Sequence, residues 1–297
     1  MMRSDVATDG LAASAPEGGP KGGGRREIIL RVVSAAVLAP LGVWAVWAGG
    51  YWLLAATTAC GVVAAFEWTR MASQAETGWV RWAQYTTLGL TAAAAVLLAT
   101  RGIEAVALAA LVGCAVASGL AHIGKGSISS MAFGAIYTSL PFGCFVWIRE
   151  MTPNGHLLLL AILAIVVTTD VGAYFAGRGF GGPLLSPKDS PNKTWTGAIG
   201  ALVCAGLAGA AVARAGGGDF AHWLLFGLAL SIVAQLGDLL ESRFKRLYGV
   251  KDTSGFLPGH GGVLDRLDGL MAATVAAALI VRFLPALAPS LSSAGAQ

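Results

Sequence analysis

The chain has 297 residues, 56% of them hydrophobic and only 12% charged, with a formal net charge of +4. Soluble globular domains carry about 25% charged residues, so this composition excludes an ordinary soluble fold and leaves a membrane-embedded one. Cys60, Cys114, Cys144 and Cys204 each sit in an apolar run without a CxxC pair, which excludes a disulfide framework and a thiolate metal site.

Residues 1–26 are rich in Gly, Ala, Ser and Pro and end in Lys21, Arg25 and Arg26. They read as a disordered N-terminal tail. A secretory signal is not expected, because the first apolar run starts late and many similar runs follow. Those runs lie at about 28–48, 51–67, 83–100, 103–121, 129–148, 156–177, 195–214, 221–241 and 267–285. Each approaches the ~20 residues that a spanning helix needs. Backbone polar groups in lipid must bond within their own segment, so the runs are expected to be helices; β-barrel alternation is absent. The expected fold is all-α, a polytopic transmembrane bundle of about nine spanning helices over residues 27–286. A short C-terminal tail, 287–297, follows.

Charge orients the bundle. With the N-terminus in the cytoplasm, the outside ends hold only Arg101, Arg149, Arg214 and Arg282 of the 20 Lys and Arg. That bias is a positive-inside signal. Two inside loops, about 177–194 and 242–266, are long and rich in Gly, Pro and charge, the character of functional loops.

The chemistry-bearing residues gather there. Gln235, Asp238, Ser242 and Lys245 recur at three- and four-residue spacing and share one helix face. Asp265 and Asp268 open the last helix, where the dipole favours carboxylates. Mg²⁺ prefers hard oxygen ligands, often one or two carboxylates plus substrate phosphates. Asp238 and Asp265 are the expected ligands if the two helix ends meet. The segment Pro258-Gly259-His260-Gly261-Gly262 lets backbone approach a phosphate. In the other loop Asp170, Tyr174 and Arg178 follow on one face, then Ser190-Pro191-Asn192-Lys193-Thr194.

The order Ser242-x-x-Lys245-Arg246, Lys251-Asp252, Pro258-x-His260-Gly261-Gly262-x-x-Asp265-Arg266-x-Asp268 resembles the signature of the phosphatidate cytidylyltransferases. Asp170-x-Gly172-Ala173-Tyr174-x-x-Gly177-Arg178 and Ser190-Pro191-x-Lys193-Thr194 are similar to that family's second motif. Asn192 and Thr196 depart from its pattern, which has a basic and an acidic residue there.

The resemblance implies transfer of the cytidylyl group of CTP to phosphatidic acid, giving CDP-diacylglycerol and pyrophosphate. It implies catalytic roles for Asp238, Asp265, Lys245 and Asp268. Substrate contacts are implied for Ser242, Arg246, Lys251, His260, Gly261, Gly262, Arg266, Asp170, Tyr174, Arg178, Ser190, Lys193 and Thr194. The expected cofactor is Mg²⁺, with Mn²⁺ as a substitute and room for a second metal or a monovalent ion. Expected partners are CTP, phosphatidic acid and the bilayer, with no nucleic acid; the resemblance allows a homodimer. The expected location is a bacterial plasma membrane, multi-pass, with the site on the cytoplasmic side. Glu67 reads equally as a site contact or a surface residue.

The alternatives are an ion-coupled transporter using Asp170 and Asp238, or another CTP-dependent lipid kinase or transferase. Polar residues concentrate in the inside loops and not along midplane helices, which disfavours the transporter. A CDP-alcohol phosphotransferase would need an Arg and later carboxylates after Asp268-Gly269, and Ala272-Ala273 stand there instead.

Overall fold

The computed structural model describes residues 23–73, 78–216, 218–256 and 261–289, with side chains from residue 36 onward. Most of both expected tails lies outside the described residues, as does His260. Among the described residues ten α-helices follow one another: α1 Gly23–Ala48, α2 Gly50–Ala72, α3 Gly78–Leu98, α4 Ile103–Ile123, α5 Ile128–Tyr137, α6 Leu140–Met151, α7 Gly155–Phe180, α8 Trp195–Gly216, α9 Phe220–Leu247 and α10 Leu264–Phe283. Between α7 and α8 lies an antiparallel hairpin, β1 Leu184–Ser186 and β2 Ser190–Thr194, with Leu184 opposite Thr194 and Ser186 opposite Ser190. Helix α1 already starts inside the stretch expected as a tail.

Seven segments among the described residues are long and apolar enough to cross a membrane. The protein is therefore a multi-pass membrane protein, as its composition demands. Neither α1 nor α10 is among the seven: described side chains in α1 begin at Ala36, and α10 carries Arg266, Asp268 and Arg282. Large apolar side chains such as Leu90, Leu111, Val167, Leu207 and Leu236 stand exposed on the bundle's outer surface, where lipid tails are the natural solvent.

The run 129–148, expected as one helix, is instead two helices. Thr138 Oγ1 donates to Gly134 O at 2.8 Å and Ser139 Oγ to Ala135 O, so hydroxyls satisfy the carbonyls that end α5. Pro141 then occupies the first turn of α6, where its missing N–H costs nothing. Helices α5 and α6 still count together as one crossing, Ile128–Met151.

Small residues bring the later helices close. A Cβ on Gly209 would lie 2.2 Å from Trp223 O, and one on Gly227 would lie 2.5 Å from Ala205 O, so the α8 and α9 backbones touch. A Cβ on Gly237 would lie 2.6 Å from Ala272 Cβ, so only glycine lets α10 approach α9 this closely. That approach positions the site, because Asp238 follows Gly237 and Asp268 precedes Ala272 by one turn.

The opposite end of the bundle is held by separate polar contacts. Arg149 donates from Nη2 to Trp47 O at 3.0 Å, Glu150 accepts Gly50 N at 2.9 Å, and Arg282 pairs with Glu104 at 2.8 Å. Asp219 caps α9 by accepting His222 N at 2.9 Å. That amide, and then the His222 ring, hold the Asp219 carboxyl below the ordinary carboxylate range.

Candidate active site

Four elements meet at one end of the bundle: the end of α7, the hairpin, the end of α9 and the start of α10. On α9 the three- and four-residue spacing puts Asp238, Glu241 and Lys245 on one face. Helix α10 presents Asp268 to that face. One ligand atom each from Asp238, Glu241 and Asp268 lie within 4.8 Å of one another. Glu241 is 1% exposed.

Two ammonium groups flank these acids. Lys193, from β2, forms an ion pair with Asp238. Lys245 stands 3.3 Å from Glu241 Oε2 and 3.1 Å from Asp265 Oδ1. A chain of alternating charge results: Lys193, Asp238 with Glu241 and Asp268, Lys245, Asp265. Asp268 Oδ1 also accepts its neighbour Gly269 N at 2.6 Å.

The acids fit a divalent cation on one specific count. Both oxygens of Glu241 are buried and accept no hydrogen bond; the Lys245 ammonium is close but not in hydrogen-bond geometry. A buried carboxylate without donors is costly, and a hard cation that takes oxygen ligands would satisfy it. Tyr137 OH is likewise buried and unpaired.

Asp265, expected as a metal ligand, is placed differently. It accepts Gly262 N at 2.8 Å, Thr253 N at 3.1 Å and Lys245 Nζ at 3.1 Å. It thus ties the loop before α10 to α9; it is a side-chain neighbour of Glu241 and shares Lys245 with it, but is not one of the three acids whose ligand atoms lie within 4.8 Å of one another. Gly262 donates its amide to Asp265, so that amide is committed within the protein. A Cβ there would lie 2.0 Å from Thr253 Oγ1, which gives the glycine a packing reason of its own. Gly261 holds φ +79°, a backbone shape that favours glycine.

The second motif joins the first through the hairpin. Asp170, Tyr174, Asn192, Lys193, Thr194, Gln235 and Asp238 line a cleft of about 290 Å³. Asp170 is exposed to this cleft, and Arg178 Nη1 donates to Tyr174 OH at 3.2 Å. Thr194 Oγ1 accepts Gly197 N at 3.1 Å at the start of α8. Thr196 Oγ1 donates to Gly181 O and so pins the hairpin's base. Arg246, Lys251 and Arg266 are exposed around the α9–α10 loop, while Ser242 and Ser190 are half-buried.

Glu241 and Glu67 are the residues that sequence reasoning missed or left open. Glu241 had a usable signal: it is three residues after Asp238 and four before Lys245. Glu67 had none in its own segment. It lies at 0% exposure and accepts Val263 N and Leu264 N, each at 2.9 Å. Beside it Trp68 donates from Nε1 to Ser130 O at 3.0 Å and packs on Phe133, Tyr137, Phe244 and Tyr248, which ties α2 and α5 to α9.

The sequence matches the cytidylyltransferase family over residues 29–284, from α1 through the end of α10. It is similar to a protein of Brucella suis biovar 1 named phosphatidate cytidylyltransferase, 38% identical over 261 residues that cover 85% of this chain and 92% of that one. Proteins of the same name from Haemophilus influenzae and Bacillus subtilis are 44% identical over 126 residues and 39% identical over 147. These matches cover 40% of this chain and 44% of the first protein, and 48% of this chain and 54% of the second. With that coverage and the acidic and basic groups of both motifs gathered at one end of the bundle, the chain belongs to the cytidylyltransferase family.

Proposed function

We propose that this chain transfers the cytidylyl group of CTP to phosphatidic acid, giving CDP-diacylglycerol and pyrophosphate, with Asp238, Glu241 and Asp268 holding a divalent cation. The observation that carries the metal reading is the pair of Glu241 oxygens, buried and without a hydrogen bond, facing two further carboxylates. Family membership and the relatives' shared name support the reaction itself. The hard oxygen donors favour Mg²⁺, with Mn²⁺ as a substitute.

A phosphate oxygen of phosphatidic acid attacks the α-phosphorus of CTP, and the bond to the bridging oxygen of the β-phosphate breaks. A phosphate monoester has a second pKa of about 6, so the attacking oxygen needs no strong general base near neutral pH. The bound cation would supply charge neutralisation at phosphate oxygens. Lys193 and Lys245 add fixed positive charge on either side of the acids, the positioning and electrostatics that such transfers require. Lys193 reaches the acids from the hairpin, so an incoming triphosphate gives it a second anionic partner. The cleft beside Asp170 and Tyr174 suits the nucleotide, while exposed Arg246, Lys251 and Arg266 suit the outer phosphates.

The site faces the cytoplasm of a bacterial cell in this reading. The bias of Lys and Arg toward the same end supports it, as do bacterial relatives. A homodimer belongs to the same proposal: exposed apolar side chains such as Val171 on α7 and Ile232 on α9 give a second copy surface to cover in place of lipid. Mass measurement of the protein extracted in native lipid would decide that point.

The test uses purified protein in mixed micelles with phosphatidic acid, Mg²⁺ and CTP labelled in the cytidine. The label should enter lipid with equimolar pyrophosphate, and chelation of the metal should stop it. Release of CDP in place of pyrophosphate would identify a lipid kinase and overturn the assignment.

A further inference from the structure

Helix α10 lacks a cap in its own sequence: Val263 occupies the capping position and offers no side-chain acceptor. The first N–H groups of any helix need partners from elsewhere. Here they come from α2. Glu67 Oε1 accepts Val263 N at 2.9 Å and the Ser254 hydroxyl; Oε2 accepts Leu264 N at 2.9 Å and the Thr253 hydroxyl at 3.4 Å. The carboxylate also sits at the end of α10 where the helix dipole favours an anion. Asp265 takes Thr253 N and Gly262 N. Two carboxylates therefore hold Thr253 and Ser254 against the start of α10. Gly262 leaves the room for this: a Cβ there would lie 2.8 and 2.9 Å from the two Glu67 oxygens.

We propose that Glu67 is a positioning residue for cytidylyl transfer, holding the start of α10 so that Asp268 enters the acidic group and Asp265 meets Lys245. The inference rests on the reading of that group as the reaction centre. Glu67 is not one of the three acids; it acts through one helical turn, since Asp268 lies four residues after Leu264. A carboxylate is required because the two amides approach two different oxygens. An amide side chain of the same shape would turn an NH₂ against one of them.

Glu67→Gln, purified in the same micelles, should lower kcat by roughly 10–100-fold, the range seen when groups that orient metal ligands are lost. The half-saturating Mg²⁺ concentration should rise, while KM for phosphatidic acid stays constant. Hydrogen exchange in segment 253–264 should accelerate in the absence of substrate. A merely structural role would lower the folded yield and leave the Mg²⁺ dependence of the folded fraction unchanged. Glu150→Gln serves as the control. That carboxylate also accepts a backbone N–H, from Gly50 at 2.9 Å, at the other end of the bundle, and its loss should leave kcat and exchange at 253–264 unchanged.

Asp238→Asn, assayed in parallel, separates the two ideas. Full activity in Asp238→Asn would remove the acidic group as the reaction centre. An inactive Asp238→Asn beside a Glu67→Gln with normal kcat and Mg²⁺ dependence would overturn the role of Glu67 alone. If Glu67→Gln does not fold, Ser254→Ala decides. It removes one hydroxyl donor to Glu67, together with the acceptor of Phe256 N, and leaves both backbone bonds to Glu67; it should raise the half-saturating Mg²⁺ about 5-fold, the equivalent of one hydrogen bond, and an unchanged value overturns the inference.

Discussion

Glu241 shows how burial changes the meaning of a residue. From spacing alone it is one more charge on the α9 face; buried at 1% with no hydrogen bond to either oxygen and only the Lys245 ammonium beside it, it is the carboxylate on which the proposed cation site rests. Removing its charge should therefore have two opposite effects. Glu241→Gln should stabilise the metal-free protein by about 0.5–2 kcal/mol, within the range typical of relieved functional strain, and should abolish cytidylyl transfer. Thermal unfolding in detergent checks the first, and Mg²⁺ should raise the melting temperature of the wild type but not of the variant. Gly262 is the complementary case. Sequence suggests a phosphate cradle there, whereas the packing shows a Cβ would collide with Thr253 Oγ1 at 2.0 Å. Gly262→Ala should cost about 1–3 kcal/mol by overpacking, seen as a lower melting temperature even without substrate.

At the scale of elements, the helices were largely legible and their ends were not. Long apolar runs identify α2, α3, α4, α7, α8 and α9 because lipid leaves the backbone no other partner. The break between α5 and α6 is not legible in the sequence because Thr138 and Ser139 can sit inside a helix as easily as end one. Their hydroxyl bonds and Pro141 settle it only in three dimensions. The hairpin lies within a stretch whose sequence predicts only a loop for a related reason: its strands are short, and what matters is the Lys193–Asp238 pair it delivers. The α8–α9 contact is the element-level feature most open to test. Gly209→Leu would drive a side chain into the α9 backbone at Trp223. It should destabilise the protein by about 3 kcal/mol or more, with α9 displaced and activity lost even though every site residue is present. Detergent-phase thermal unfolding together with the cytidylyl assay checks it.

For the whole molecule, the polar contacts divide into two ends. Arg149, Glu150, Asp219, Glu104 and Arg282 mark one, and Glu67, Lys193, Asp238, Glu241, Lys245 and Asp265 mark the other. Under the proposed orientation, which the positive-inside bias supports, the second end faces the cytoplasm. With the free cysteines Cys60, Cys114, Cys144 and Cys204 replaced, Lys188→Cys should react with an impermeant thiol reagent only in inside-out vesicles. Ala221→Cys should react only in right-side-out cells. The opposite pattern would reverse the orientation and move the site to the outer face. Sequence by itself determined the environment, the helical architecture, the expected sidedness and the inventory of acids and cations, because hydropathy, charge bias and helix periodicity are local along the chain. Only the tertiary structure decided that Glu241 and Asp268 join Asp238 while Asp265 turns to Lys245, and that Glu67 caps α10 from 196 residues away. Those pairings depend on how closely two helices approach, and that distance is set across the interface, where Gly237 faces Ala272, by side-chain volumes that no single segment contains.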